Sequence, residues 1–178
     1  NRADAAYAFL TEWRELVLRD RNHPSIITWT PLNETLDFSN PEQHRRFHID
    51  CYEETRALDT TRPVNDTSGF IHGRTDLWTV HGYTQDPAEF KAQLTPTAHD
   101  PVIRNHPAKE TDYTGQPYLV AEFGGIQWVK IAEIANSDQE AWGYGDAPRS
   151  EEEFYERLEG LVDSLLQLDH VRGYCYTQ

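Results

Sequence analysis

Helical and strand-like patterns alternate along this chain, and that alternation restricts its fold more than any other feature. Residues 3–20 set Phe9, Leu10, Trp13, Leu16 and Val17 at helical spacing. Asn22-His23-Pro24 ends the helix, because proline cannot continue it and drives the preceding residue toward extended backbone. The β-branched and aromatic run that follows predicts a strand over 25–30. A second helix is predicted over 41–58, with Pro41 in its first turn and Glu42 near the positive end of its dipole. Short strands follow over 63–66 and 77–81, then a mostly looped, Pro- and Thr-rich stretch over 84–117 broken by a short helix at 87–94. A strand over 118–121 leads into a long loop over 126–149. Ser150 opens a helix with a capping-box pattern that runs to about 169, and a last strand covers 171–176. No repeat, low-complexity tract or linker divides the chain, so residues 1–178 are expected to form one domain.

Strands that alternate with helices imply parallel strands joined by right-handed crossovers. Apolar strands that each end in polar residues suggest an α/β fold of the (β/α)8 barrel type, whose sites sit at the C-terminal strand ends. Five strands in 178 residues fall short of the about 250 residues of a whole barrel. The alternative, an open doubly wound sheet, would lack any Gly-rich phosphate turn, so a nucleotide site has no support. Charge narrows the partners further. Sixteen basic residues against 30 acidic ones leave a net charge of −14, which repels nucleic acid and anionic membrane alike. No window is apolar enough for a membrane span or a signal peptide, and the two cysteines, Cys51 and Cys175, make no disulfide framework; a reduced, cytoplasmic setting is expected. The chain contains no methionine and opens on Asn1-Arg2-Ala3-Asp4, so it reads as a segment of a longer protein.

Two carboxylates stand out by position. Glu34 follows the strand over 25–30 and Glu122 follows the strand over 118–121, so both are expected at the same end of a parallel sheet. A pair of carboxylates so placed suits a retaining glycoside hydrolase, one attacking the anomeric carbon and the other protonating the departing oxygen. Trp128 and Trp142, in the long loop, either stack on the C–H face of a sugar or pack within the loop. Trp29 is expected in the core. His44 and His48 stand four apart on the second helix, but no nearby carboxylate set supports a metal clasp and they read as a solvated face. Cys51 is expected to be half-buried, Cys175 to lie in the core, and Glu151-Glu152-Glu153 to favour a helix start.

Longer words in the sequence give a resemblance. Arg19 to Glu34, ending Trp29-Thr30-Pro31-Leu32-Asn33-Glu34, closely resembles the fourth-strand signature of glycoside hydrolase family 2. Tyr118-Leu119-Val120-Ala121-Glu122-Phe123-Gly124-Gly125 resembles its seventh strand. Thr60-Thr61-Arg62-Pro63-Val64, Val80-His81-Gly82-Tyr83 and Gly173-Tyr174-Cys175-Tyr176-Thr177-Gln178 resemble the stretches at strands five, six and eight. The resemblance implies the C-terminal portion of a TIM barrel, about strands four to eight. It implies Glu34 as acid/base, Glu122 as nucleophile and Asn33 as partner of the sugar 2-hydroxyl. Either His81 or Tyr83 is expected to hydrogen-bond the nucleophile, and Trp142 to wall the substrate site. No metal and no cofactor are required by such a mechanism. The implied partner is a β-glycoside, β-galactoside first and β-glucuronide next, with a second copy or the missing barrel half pairing with the segment. The alternative is a non-catalytic carbohydrate-binding or assembly module. Without the first three strands, the segment alone is expected to turn over weakly or not at all.

Overall fold

The computed structural model describes residues 3–36, 40–128 and 142–177. Most of the long loop over 126–149, and Gln178 of the last word above, lie outside these residues. In chain order the elements are α1 (Ala3–Asp20), β1 (Leu32–Asn33), α2 (Pro41–Leu58), β2 (Thr67–Ser68), β3 (Trp78–Gly82), α3 (Pro87–Leu94), β4 (Tyr118–Gly124), α4 (Glu151–Leu166) and β5 (Val171–Thr177). The chain forms two compact units, residues 1–80 with 104–119 and residues 81–103 with 120–178.

The helices begin where their caps dictate. The Asn40 side chain accepts the Gln43 amide at 3.0 Å, and Pro41 follows with φ already helical. Asp86 does the same for Glu89 at 2.8 Å, again with a proline next, and Ser150 accepts from Glu153 at 3.3 Å. α4 stops at Leu166, about three residues short of the predicted end. The early strands are much shorter than predicted. The run over 25–30 keeps only a parallel bridge from Trp29 to Val64, and true pairing begins at Leu32↔Thr67 and Asn33↔Ser68. Arg62 takes up part of the slack, donating from its guanidinium to the Ile26 and His23 carbonyls.

In the first unit Val17, Trp29, Tyr52 and Val64 form a core, joined by Trp13, Leu16, Ile26 and Leu58. Trp29 is thus core, as expected, and its indole donates to buried Asp59 at 2.9 Å. α2 packs on α1, and the α2 face that reads as solvated is in fact buried: His48 is inaccessible and His44 is 8% exposed. The reason is a carboxylate. Asp66, wholly buried, accepts from His72 Nδ1 at 2.7 Å and His48 Nδ1 at 3.3 Å, and from the amides of Thr67, Gly73 and Arg74. A charge removed from water survives only when paired and saturated with donors, and α2 turns His48 inward to supply one of them, while His44 on the same face meets the Thr35 hydroxyl. Gly73 is required at this point, because a Cβ there would lie 2.8 Å from His48 Cβ. Cys51, on the same helix, is fully buried rather than half-buried, and burial pushes its thiol up to about 12.

The second unit contains the ends of β3 and β4 with β5, in a sheet of order β3-β4-β5. α3 packs on α4, where Gly160 leaves room for Pro87 and the Ser164 hydroxyl donates to the Pro87 carbonyl at 2.8 Å. Phe123 is inaccessible, stacked on Phe90 and met edge-on by Tyr174 and Tyr176. Cys175, expected in the core, is exposed, because β5 lies at the edge of this sheet. Among the described residues, no helix is long and apolar enough to cross a membrane.

Two tests follow from this packing. Phe123→Ala should cost about 3–5 kcal/mol, read as a lower midpoint in urea unfolding. The second concerns pH. Burial opposes charge on both Asp66 and His72, yet hydrogen bonds win: those from His48 and His72 hold Asp66 below its ordinary value, and that to Asp66 holds His72 above its own. The Asp66 contribution to stability is present above 3.8 and lost as pH falls through its lowered value; that of His72 is present below 6.5 and lost as pH rises through its raised one. Tm should therefore decline on the alkaline side of 6.5 in the parent chain and decline less in His72→Gln. An equally steep alkaline limb in the variant would count against the pair.

Candidate active site

In the first unit the candidate residues sit at the end of β1. Asn33 is exposed, and the next residue, Glu34, turns the chain through a left-handed conformation with φ 48°. Only a few per cent of non-glycine residues adopt that region, so something must hold it. The Glu34 amide donates to the Ser68 carbonyl at 3.1 Å, across the β1–β2 pairing. The next hydroxyl, Thr35 Oγ1, lies 2.6 Å from His48 Nε2 and 3.0 Å from His44 Nε2. A cavity of about 760 Å3 opens beside these residues, bounded by Glu34 and Thr35 and by Phe9 and Phe47 from α1 and α2.

In the second unit Glu122 lies within β4, its side chain 22% exposed. Tyr83 donates its phenol proton to Glu122 Oε2, and His81 Nδ1 approaches the same oxygen at 3.5 Å. The sequence leaves open which of the two meets this carboxylate; both do, the tyrosine by a direct hydrogen bond. The His81 side chain is only 3% exposed, so it is a packed residue as well as a neighbour of the carboxylate. Tyr144 stacks on Tyr83 with ring centroids 3.9 Å apart, and Trp142 meets Tyr144 edge-on at 5.3 Å while remaining 64% exposed. Trp128 belongs to a different setting, packed against Phe154 of α4. β4 ends in Gly124-Gly125, where a Cβ on Gly124 would fall within the Tyr176 ring's contact distance and φ is +85°. Only glycine allows the aromatic neighbours to close over this turn.

Residues 2–141 match the model of a family described as glycosyl hydrolases family 2, TIM barrel domain. The chain belongs to glycosyl hydrolase family 2. A 64-residue stretch is 38% identical to a β-galactosidase of Vibrio vulnificus (strain YJ016), covering 36% of this chain and 6% of that protein. A 50-residue stretch is 42% identical to a β-glucuronidase of Canis lupus familiaris, covering 28% of this chain and 7% of that protein. The solved β-D-glucuronidase for Dictyoglomus thermophilum superposes with a TM-score of 0.66 and 24% identity over 98% of this chain and 28% of that one. A Bacteroides uniformis β-glucuronidase gives 0.66 at 19% identity, over 99% of this chain and 22% of that one. These likenesses establish the fold, the C-terminal portion of a TIM barrel. The chain spans 6–7% of these curated relatives' length and 22–28% of these solved ones.

Within this family 2 chain, sequence reasoning passes over three features of the site. Tyr144 was visible only as an aromatic between two glycines, Gly143 and Gly145. Thr35 carries no signal beyond its place after Glu34. Asp66 follows Asn65 just before β2, at the start of its strand, whereas Glu34 follows the end of β1. The Tyr83 phenol offers a direct test of the local geometry. Burial first, then the hydrogen bond and charge of Glu122, push it well above its ordinary 10.0. Glu122→Gln removes the charge and leaves the burial. In an alkaline ultraviolet titration one late tyrosine should move down toward 10.0 without reaching it, while Tyr118, raised chiefly by burial, stays put.

Proposed function

We propose that this chain carries the two catalytic glutamates of a retaining β-glycosidase. The supporting observation is that Tyr83 and His81 converge on one oxygen of Glu122 in a chain of glycosyl hydrolase family 2. With Oε2 so engaged, Oε1 is assigned the attack on the anomeric carbon. The bond from that carbon to the leaving oxygen breaks, and Glu34 delivers a proton to that oxygen. The product is a glycosyl ester of Glu122. In the second half Glu34 takes a proton from water, the hydroxide displaces Glu122, and the configuration at the anomeric carbon is retained. Asn33 is assigned the sugar 2-hydroxyl, a bond that strengthens as the oxocarbenium-like transition state develops. Trp142, exposed at the end of the Tyr83–Tyr144 stack, supplies a flat apolar surface for a sugar face.

A β-galactoside is the favoured substrate, supported by the Trp-Thr-Pro-Leu-Asn-Glu word and by the stretch similar to the Vibrio enzyme. A β-glucuronide is second, supported by the shorter stretch similar to the canine enzyme. The whole is read as part of one catalytic domain that acts with the remaining barrel strands or a second copy, so the segment alone should be weakly active or inactive. A binding module without catalysis is the competing reading.

The deciding experiment is intact-mass spectrometry after incubation with 2-deoxy-2-fluoro β-glycosides, with peptide mapping, on this chain and on a longer protein carrying it. A single adduct on Glu122 is expected, and the sugar that labels it names the specificity. Glu122→Gln should abolish the adduct and nearly all turnover. If the longer protein also stays unlabelled while sugar affinity survives in Glu122→Gln, the binding-module reading takes over.

A further inference from the structure

We infer that Thr35, gripped by His44 and His48, is a positioning residue for Glu34. The inference rests on the reading of Glu34 as the acid/base. Its own basis lies in the buried network, which that reading does not use.

The observations form one chain. Asp66, fully buried and ionised, accepts from His48 Nδ1 at 3.3 Å. That bond places a proton on His48 Nδ1, and Nε2 lies 2.6 Å from the Thr35 hydroxyl. Thr35 Oγ1 also lies 3.0 Å from His44 Nε2. The His44 and His48 rings stand 4.3 Å apart, so the hydroxyl is held between two imidazoles that pack on one another. Each member is fixed by something rigid: His48 by the Asp66 carboxylate and by Gly73 pressed against its Cβ, and Asp66 by three backbone amides.

A packing role alone does not account for where this network ends. Its last member is the residue after Glu34, and the Glu34 backbone is left-handed, at φ 48°, as is that of Phe70 among the described non-glycine residues. Such a conformation persists when the surroundings over-determine it, and strain of this kind clusters at functional sites. Here Glu34 is tied on both sides, by its own amide to the Ser68 carbonyl at 3.1 Å and through the Thr35 hydroxyl to α2. Losing the hydroxyl tether would let the turn relax toward ordinary backbone and carry the carboxyl away from the leaving oxygen. A displacement of about 1 Å is enough to cost 100-fold in a positioned step.

The test uses Thr35→Val, which keeps the shape and removes the hydroxyl, and Thr35→Ser, which keeps the hydroxyl. Acid assistance matters for a poor leaving group and hardly at all for dinitrophenolate. In the active protein carrying this segment, Thr35→Val should lose at least tenfold in kcat/KM on an alkyl β-glycoside and less than threefold in kcat/KM on the 2,4-dinitrophenyl β-glycoside, with Thr35→Ser restoring most of the loss. Glu34→Ala is the reference and should show the same split more strongly. If Glu34→Ala splits the substrates and Thr35→Val does not, the positioning role falls and the acid/base reading stands. If Glu34→Ala shows no split, the acid/base reading falls and takes the positioning role with it. Hydrogen exchange on the chain itself needs no turnover: the Glu34 amide should lose at least tenfold protection in Thr35→Val and keep it in Thr35→Ser. Unchanged protection in Thr35→Val overturns the inference.

Discussion

The buried Asp66 carboxylate is the constraint on which the first unit depends. Removing a charge from water costs several kcal/mol unless neighbours replace the lost hydration. Here five donors do so, from β2, from α2 and from the segment 72–74. Because all five must arrive together, the carboxylate dictates which face of α2 turns inward and where the chain after β2 doubles back. It also explains why two histidines sit in the interior of a chain with abundant solvent-facing charge. Their rings complete the hydration shell that the fold has removed.

The second unit is organised by aromatic contact around one strand. β4 carries Glu122 and then Phe123, whose side chains lie in opposite settings, one reaching Tyr83 and the other enclosed by Phe90, Tyr174 and Tyr176. The alternation of a strand separates chemistry from packing at adjacent residues. Gly124-Gly125 then lets the backbone turn beneath rings that no side chain could share space with. A carboxylate on a strand backed by a fully packed phenylalanine is held in place, as the nucleophile role proposed for Glu122 requires.

Membership of glycosyl hydrolase family 2 joins these local facts to a chemistry. In the first unit Glu34 follows β1 and the next residue, Thr35, meets His44 and His48; in the second, Glu122 lies within β4 and meets Tyr83 and His81. The Glu34 backbone is tied by its amide to the Ser68 carbonyl, and Glu122 is held through its own carboxylate oxygen. The second arrangement suits the nucleophile role proposed for Glu122, in which one oxygen is occupied and the other presented.

By itself the sequence determined what local chemistry controls. α1, α2 and α3 have the predicted bounds because Asn40, Asp86, the prolines that follow them and Asn22-His23-Pro24 set helix ends within a few residues. The words around Glu34 and Glu122 were likewise legible, since each combines a strand pattern with a polar stop. Tertiary structure decided the rest. The strand over 25–30 shrank to a bridge as the Arg62 guanidinium takes the Ile26 carbonyl, a competition that no local pattern encodes. His44 and His48 went inward and Cys175 outward, because burial is a property of what a face meets. Tyr144 reached Tyr83 from 61 positions along the sequence, and spacing along a chain carries no record of such a meeting. Hydrogen bonds within a turn are paid locally; a buried carboxylate or a stacked ring needs partners that only the folded chain delivers.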